Sequence, residues 1–159
     1  MNKINSTVIP SSAGDAYWQP GVQGNCITVK ISPWNITNTN HTIFLHELPK
    51  DGIIPEHAHE TNEEIFICLD GEGIVTIDGI DHAFKLHDVA YLAPQSKHTI
   101  RTTGDKTLKF MVIISPTGLE DRLKMMGNKK LKSTHPHPDS FCSELGQAES
   151  HGVILSSST

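Results

Sequence analysis

Four residues of this chain have the types and spacing to hold a metal ion: His57, His59, Glu64 and His98. His57 and His59 are one residue apart, so on a strand, where side chains alternate between faces, both imidazoles point the same way. Glu64 opens the apolar run Ile65, Phe66, Ile67, Cys68, Leu69. A carboxylate buried at the head of such a run needs a partner, and a bound cation would supply one. The fourth candidate, His98, follows the strand-like stretch Asp88 to Ala93 and the punctuating Pro94. Three imidazoles and one carboxylate form a mixed nitrogen and oxygen site for one divalent transition metal: Fe, Ni, Mn, Cu or Zn. Such a centre keeps open positions. It can polarise an enolate or a pair of vicinal oxygens, or activate dioxygen if the metal is redox-active.

Other titratable residues are weighed against these four. Glu63 falls on the opposite face of a regular strand from Glu64 and is expected to point outward. His46 shares a face with Phe44 and is either a pocket residue or a hydrogen-bonded core histidine. His41, His82 and His87 read as turn or surface residues. His135 and His137 flank Pro136 in a basic connector with no neighbouring carboxylate or thiol, and a solvated loop is expected there. Phe66, Cys68, Ile100, Phe110 and Val112 should fill the interior around the site, with Cys68 an inert buried thiol.

The elements that must position these groups are short strands. Thr28 to Ile31, His41 to Leu48, Ile74 to Ile77, Phe84 to Leu86, Val89 to Leu92, Thr99 to Thr102 and Leu108 to Ile114 all carry strand signals. Within His41 to Leu48, Phe44, His46 and Leu48 share one face and Ile43, Leu45 and Glu47 the other. Asp78-Gly79 is a strong hairpin turn. The connections are too short for crossover helices, which favours a closed all-β barrel or sandwich over a parallel sheet. Beyond Pro116 the period changes. Gly118 to Met126 is predicted helical, with Leu119, Leu123 and Met126 on one side and Gly127 as its stop. Asp139 can cap a second short helix carrying Phe141, Leu145 and Ala148, ended by Gly152 before Val153 to Leu155.

At 159 residues the chain has the length of one domain. It is 36% hydrophobic and 19% charged, with 12 glycines and 9 prolines, as expected of a globular protein rich in turns. The formal charge of -5, with only 13 Lys and Arg, leaves no broad basic surface, so no nucleic-acid partner is expected. Cys26, Cys68 and Cys142 are odd in number and lack ligand spacing, which points to free thiols in a reducing compartment. The amino terminus has no apolar core long enough for a signal peptide. No apolar run approaches the roughly 20 residues of a membrane span, and a cytoplasmic location without membrane contact is expected.

The motifs resemble those of the cupins. His57-Ala-His59, four residues, Glu64, six residues and Gly71 resemble the first cupin motif. Asp88, five residues, Pro94, three residues and His98 resemble the second. Ala16-Tyr17-Trp18, Ser115-Pro116-Thr117-Gly118-Leu119-Glu120 and Gly152-Val153-Ile154-Leu155 are similar to segments of single-domain bacterial cupins called quercetin 2,3-dioxygenase-like. The chain departs from the pattern at Asp51 and His87, where the motifs open with glycine, and at Ser96 and Thr102. The resemblance implies a jelly-roll barrel, the cupin double-stranded β-helix, over about 27–115. A short irregular N-terminal arm (1–26) would precede it, and an extension with one or two short helices (116–159) would follow. It implies a dioxygenase acting on a small aromatic or enolic compound, with His57, His59, Glu64 and His98 on the metal and Glu64 also the proton acceptor. A metal-dependent isomerase, lyase or cyclase on a small oxygen-rich substrate, or a non-catalytic binding module, is the alternative. Exposed strand edges at the arm invite a second copy, and a homodimer is expected.

Overall fold

The computed structural model describes residues 6–21 and 23–130 and the backbone of 153–155. In chain order the elements are β1 (Asp15–Trp18), β2 (Cys26–Ile31), β3 (Thr42–Leu48), β4 (Ile53–His59), β5 (Glu63–Asp70) and β6 (Glu72–Ile77). They continue as β7 (Ile80–Lys85), β8 (Val89–Leu92), β9 (His98–Thr102), β10 (Leu108–Ser115), α1 (Leu119–Met126), β11 (Asn128–Lys129) and β12 (Val153–Leu155). The strands form two antiparallel sheets, ordered β11-β1-β2-β3-β10-β5-β8 and β12-β4-β9-β6-β7. The fold is all-β, a two-sheet jelly roll with one short helix among the described residues, as the alternation of apolar residues predicts.

That alternation decides which side chains face the interior. In β10, Leu108, Phe110, Val112 and Ile114 are buried while the residues between them are half-exposed. Phe110 is registered opposite His46 on β3 and Cys68 on β5, and Val112 opposite Phe44 and Phe66. Phe44, Phe66, Cys68, Phe84, Ile100 and Phe110 therefore meet in one core. Removing a buried Phe or Leu side chain from water contributes about 1.5–3 kcal/mol, so this packing holds the two sheets face to face. Glu63 points outward and accepts a hydrogen bond from the Tyr91 hydroxyl, as expected of the face opposite Glu64. Cys26 and Cys68 are buried free thiols.

Both ends of the chain add strands to the two sheets. The N-terminal arm is not apart from the barrel: β1 pairs with β2, and Tyr17 is 4% exposed in the core. The C-terminal region is not solely helical, because β11 pairs with β1 and β12 with β4, where they satisfy backbone groups that would otherwise end each sheet. The helix predicted from Asp139, together with His135, His137 and Cys142, lies outside the described residues.

Turns follow their residues closely. Ile77 pairs with Ile80 across Asp78-Gly79, whose φ values of 48° and 84° are those of a two-residue hairpin turn. Asp51 and His87, which stand where the cupin pattern has glycine, both keep positive φ, at 61° and 72°. Both residues thus adopt the backbone conformation that glycine favours, and a side chain there is strained. His87→Gly is expected to stabilise the fold by about 0.5–1 kcal/mol, net of the freedom glycine adds to the unfolded chain, read as a higher urea midpoint. Asp tolerates this region, so Asp51→Gly should change less.

The helix α1 closes one end of the barrel. Glu120, 2% exposed, accepts hydrogen bonds from the Thr42 hydroxyl at 2.7 Å and the Gly118 amide at 2.8 Å, tying the first helical turn to β3. Gly127 ends the helix, its N–H donating to the Leu123 carbonyl. Among the described residues no helix is long and apolar enough to cross a membrane.

Candidate metal centre

His57 and His59 lie on β4, His98 on β9 and Glu64 on β5. The imidazoles thus come from one sheet and the carboxylate from the other. His57 is registered directly opposite His98, and the pairing of β4 with β9 shifts between Ile54 and His57, around Pro55. A proline cannot donate to the sheet ladder, so the irregularity falls where the sequence places it. Ring centroids are 4.2 Å apart for His57 and His98, 5.0 Å for His57 and His59, and 5.5 Å for His59 and His98. Each of the four residues offers a ligand atom, and all four atoms lie within 4.8 Å of one another. The structure brings all four residues together.

Two imidazoles are fixed in orientation by the backbone. The Nδ1 of His57 is 2.9 Å from the Pro55 carbonyl, and that of His98 is 3.0 Å from the Ser96 carbonyl. A carbonyl only accepts, so each Nδ1 carries the proton and each Nε2 is left with a lone pair. This is the arrangement a metal ligand needs. The Nε2 of His98 is 3.0 Å from Glu64 Oε2, and that of His59 is 3.3 Å from Glu64 Oε1. Neither approach has the geometry of a hydrogen bond. Both ring nitrogens of His59, Nε2 of His98 and Oε2 of Glu64 are therefore buried without a hydrogen-bond partner. Leaving such atoms unsatisfied costs about 1–3 kcal/mol each, and a shared cation would satisfy one from each of these residues. The donor set fits one divalent metal.

The protonation states agree. Burial pushes the Glu64 carboxyl up, but His59 and His98 together outweigh it and hold its pKa below the ordinary carboxylate range. Burial, reinforced by His98, lowers the His57 pKa to about 4. For His98, burial is overcome by the Glu64 carboxylate, and its pKa is raised. Near neutral pH the site thus offers an ionised carboxylate and a neutral His57 imidazole to an arriving cation.

Above the cluster lies a cavity of about 350 Å³, lined by His57, His59 and Glu64 and otherwise mostly by apolar side chains, including Phe66, Ile100 and Phe110. His46 belongs to both of its expected roles. It lines this cavity, stacks on Phe110 at 4.9 Å, and bonds through Nε2 to Asn25 Oδ1 at 2.6 Å. Burial lowers its pKa to about 3, so it is neutral and donates its Nε2 proton to Asn25. Cys68 is buried in the core and is not among the cavity residues. Asn25, Gln19 and Arg122 also line the cavity and were not picked out from sequence. Only Arg122 left a signal, as a charge placed three residues after Leu119 and so on the apolar stripe of the helix.

A two-sheet jelly roll with three imidazoles and a carboxylate converging in its interior defines a small barrel built around a possible metal site. Residues 44–114 match the family model for the cupin domain. The chain is 34% identical over 68 residues to an oxalate-binding protein of Thermotoga maritima, covering 43% of this chain and 56% of that protein. It is 35% identical over 60 residues to an uncharacterized protein of Methanocaldococcus jannaschii, covering 38% and 48%. The chain thus spans about half the length of the curated relatives it matches. Among solved structures, one described as a predicted oxalate decarboxylase from Thermotoga maritima superposes with a TM-score of 0.60 at 23% identity, over 69% of this chain and 99% of that one. A sugar phosphate isomerase of the cupin superfamily from Silicibacter pomeroyi superposes with a TM-score of 0.53 at 16% identity, over 59% and 60%. These likenesses establish the fold.

Proposed function

We propose that His57, His59, Glu64 and His98 hold one divalent transition metal and that the chain is a dioxygenase-type oxidoreductase acting on a small aromatic or enolic compound. The observation that carries this reading is the cavity: a space of about 350 Å³ with the donor cluster at its floor and aromatic and aliphatic walls. Its size is within the range of pockets that take small organic ligands, and its walls suit a flat ring better than a sugar or a small diacid. The bound cation would supply Lewis-acid polarisation of a substrate's oxygens and, if redox-active, a site for dioxygen. Glu64, ionised and facing the cavity, accepts the proton a hydroxyl or enol loses on binding. His57 and His98, locked by backbone carbonyls, keep their orientation during this transfer, and the apolar walls exclude water. His46, held by Asn25 and stacked on Phe110, forms part of the cavity wall.

The test is metal analysis of the purified protein joined to oxygen uptake against a panel of phenolic and enolic compounds. Stoichiometric metal with oxygen consumed supports the reading. Substrate consumed without oxygen would make the protein an isomerase, lyase or cyclase, and binding without turnover would make it a binding module. Failure to hold any of Fe, Mn, Ni, Cu or Zn would overturn the metal site itself.

A homodimer is proposed with it, on a surface different from the arm. β11 and β12 pair with β1 and β4, so the arm is not an open edge. The outer face of the larger sheet instead carries two apolar rows across four strands. One runs Ile43, Ile113, Ile65, Tyr91 and the other Leu45, Met111, Ile67, Val89. Val89 is 63% exposed and Tyr91 56%. Light scattering is expected to give twice the chain mass of 17.5 kDa, and Val89→Lys should shift it toward the monomer. A wild-type mass of one chain at micromolar concentration would refute the dimer.

A further inference from the structure

Leu119, Arg122, Leu123 and Met126 fall at i, i+3, i+4 and i+7 of α1, which is one face of a helix. All four line the cavity. Three are apolar, and Arg122 is the exception. It is half-buried, and among the described residues it has no hydrogen bond, ion pair or ring contact. The carboxylates beside it in the helix are taken elsewhere: Glu120 by Thr42 and the Gly118 amide, and Asp121 by the Trp34 indole N–H at 2.9 Å. Burial lowers the Arg122 pKa, with no opposing anion to restore it. A guanidinium brought to an apolar wall without a counterion is disfavoured unless something charged arrives. Among the described residues no carboxylate answers it, and the cavity that Arg122 lines is open to a charged occupant.

We propose that Arg122 binds a carboxylate of the substrate, so that the ligand is an apolar, ring-bearing acid whose other, oxygen-bearing end reaches the His57, His59 and Glu64 floor. The oxygen-bearing end rests on the metal reading given above, whereas the carboxylate contact does not. A guanidinium meets a carboxylate with two parallel hydrogen bonds, which fixes the direction of the ligand as well as its charge. A single cation against apolar walls fits one negative charge, and the more highly charged phosphate would need further donors. Arg122 would therefore set specificity between acids and their neutral analogues. A phenolic compound without an acid group would bind in the same cavity more weakly.

The probes are matched pairs, 3-phenylpropionate against 3-phenylpropionamide and cinnamate against cinnamamide. Binding is measured by calorimetry to zinc-loaded and metal-free wild type and to Arg122→Gln, with phenyl phosphate as a further anion. The wild type is expected to prefer each acid over its amide by about tenfold or more, since hydrogen bonds to charged groups are the strong ones. Arg122→Gln should bring that preference to near unity with metal content and thermal midpoint unchanged, and Arg122→Lys should restore part of it. A wild type that binds neither member of a pair, shows no preference, or favours the phosphate overturns the proposal. An acid preference that survives in Arg122→Gln but disappears on metal removal places the carboxylate on the metal, which also overturns it while leaving the metal site standing. Acid preference retained in metal-free wild type, with no oxygen uptake on any compound, keeps Arg122 and removes the oxygenase.

Discussion

Glu64→Gln is expected to lower kcat by about 100- to 10,000-fold per bound metal, the range lost when a general base is removed. The amide keeps the shape of the side chain and an oxygen able to reach a cation, so most of the fold and part of the metal occupancy should persist. It cannot accept the substrate's proton. The comparison is made at equal metal content, because Glu64 sits between His59 and His98 and any change there also touches the ligand set. Glu64→Gln retaining nearly full turnover would show that the carboxylate only coordinates. Proton transfer would then belong to another group, and His46, neutral and held by Asn25, is the nearest candidate along the cavity wall.

His59→Ala should weaken metal affinity by more than about 100-fold, since removing even an outer partner of a ligand costs 10- to 100-fold. His59 is the most exacting position of the four. Its two ring nitrogens are both buried and both lack a hydrogen bond, so the one that reaches the cluster has a cation as its natural partner. The small cavity left by the missing ring can hold water, which replaces the ligand poorly. Competition with a coloured chelator measures the loss directly. Occupancy and affinity unchanged in this variant would mean that the other three residues bind metal without it, or that no metal is bound here at all.

Much of this site was legible because its signals are local. The one-residue spacing of His57 and His59 needs only a strand to bring the rings together, and Pro94 followed by His98 marks the start of β9. The inward face of β3, with Phe44, His46 and Leu48, follows from alternation alone, as does the outward direction of Glu63. What could not be read is long-range pairing. Nothing near His57 or His98 announces that they stand opposite one another, and the shift of register around Pro55 decides it. Sequence order made β5 simply the next strand, whereas the topology places Glu64 on the facing sheet. β1 is too short to show alternation, and helical spacing alone does not tell that Arg122 lines a cavity. The second helix expected from Asp139 lies beyond the described residues.

The division of donors between the sheets has a mechanical consequence. Three imidazoles belong to one wall of the sandwich and the carboxylate to the other, so an ion held by all four is a clasp across the barrel as well as a reagent within it. Parting the walls pulls Glu64 away from the imidazoles, and release of the ion removes the rivet that opposes parting. Breathing of the barrel and escape of its ion are then one motion, and whatever tightens the clasp, a bound substrate included, stiffens the whole shell.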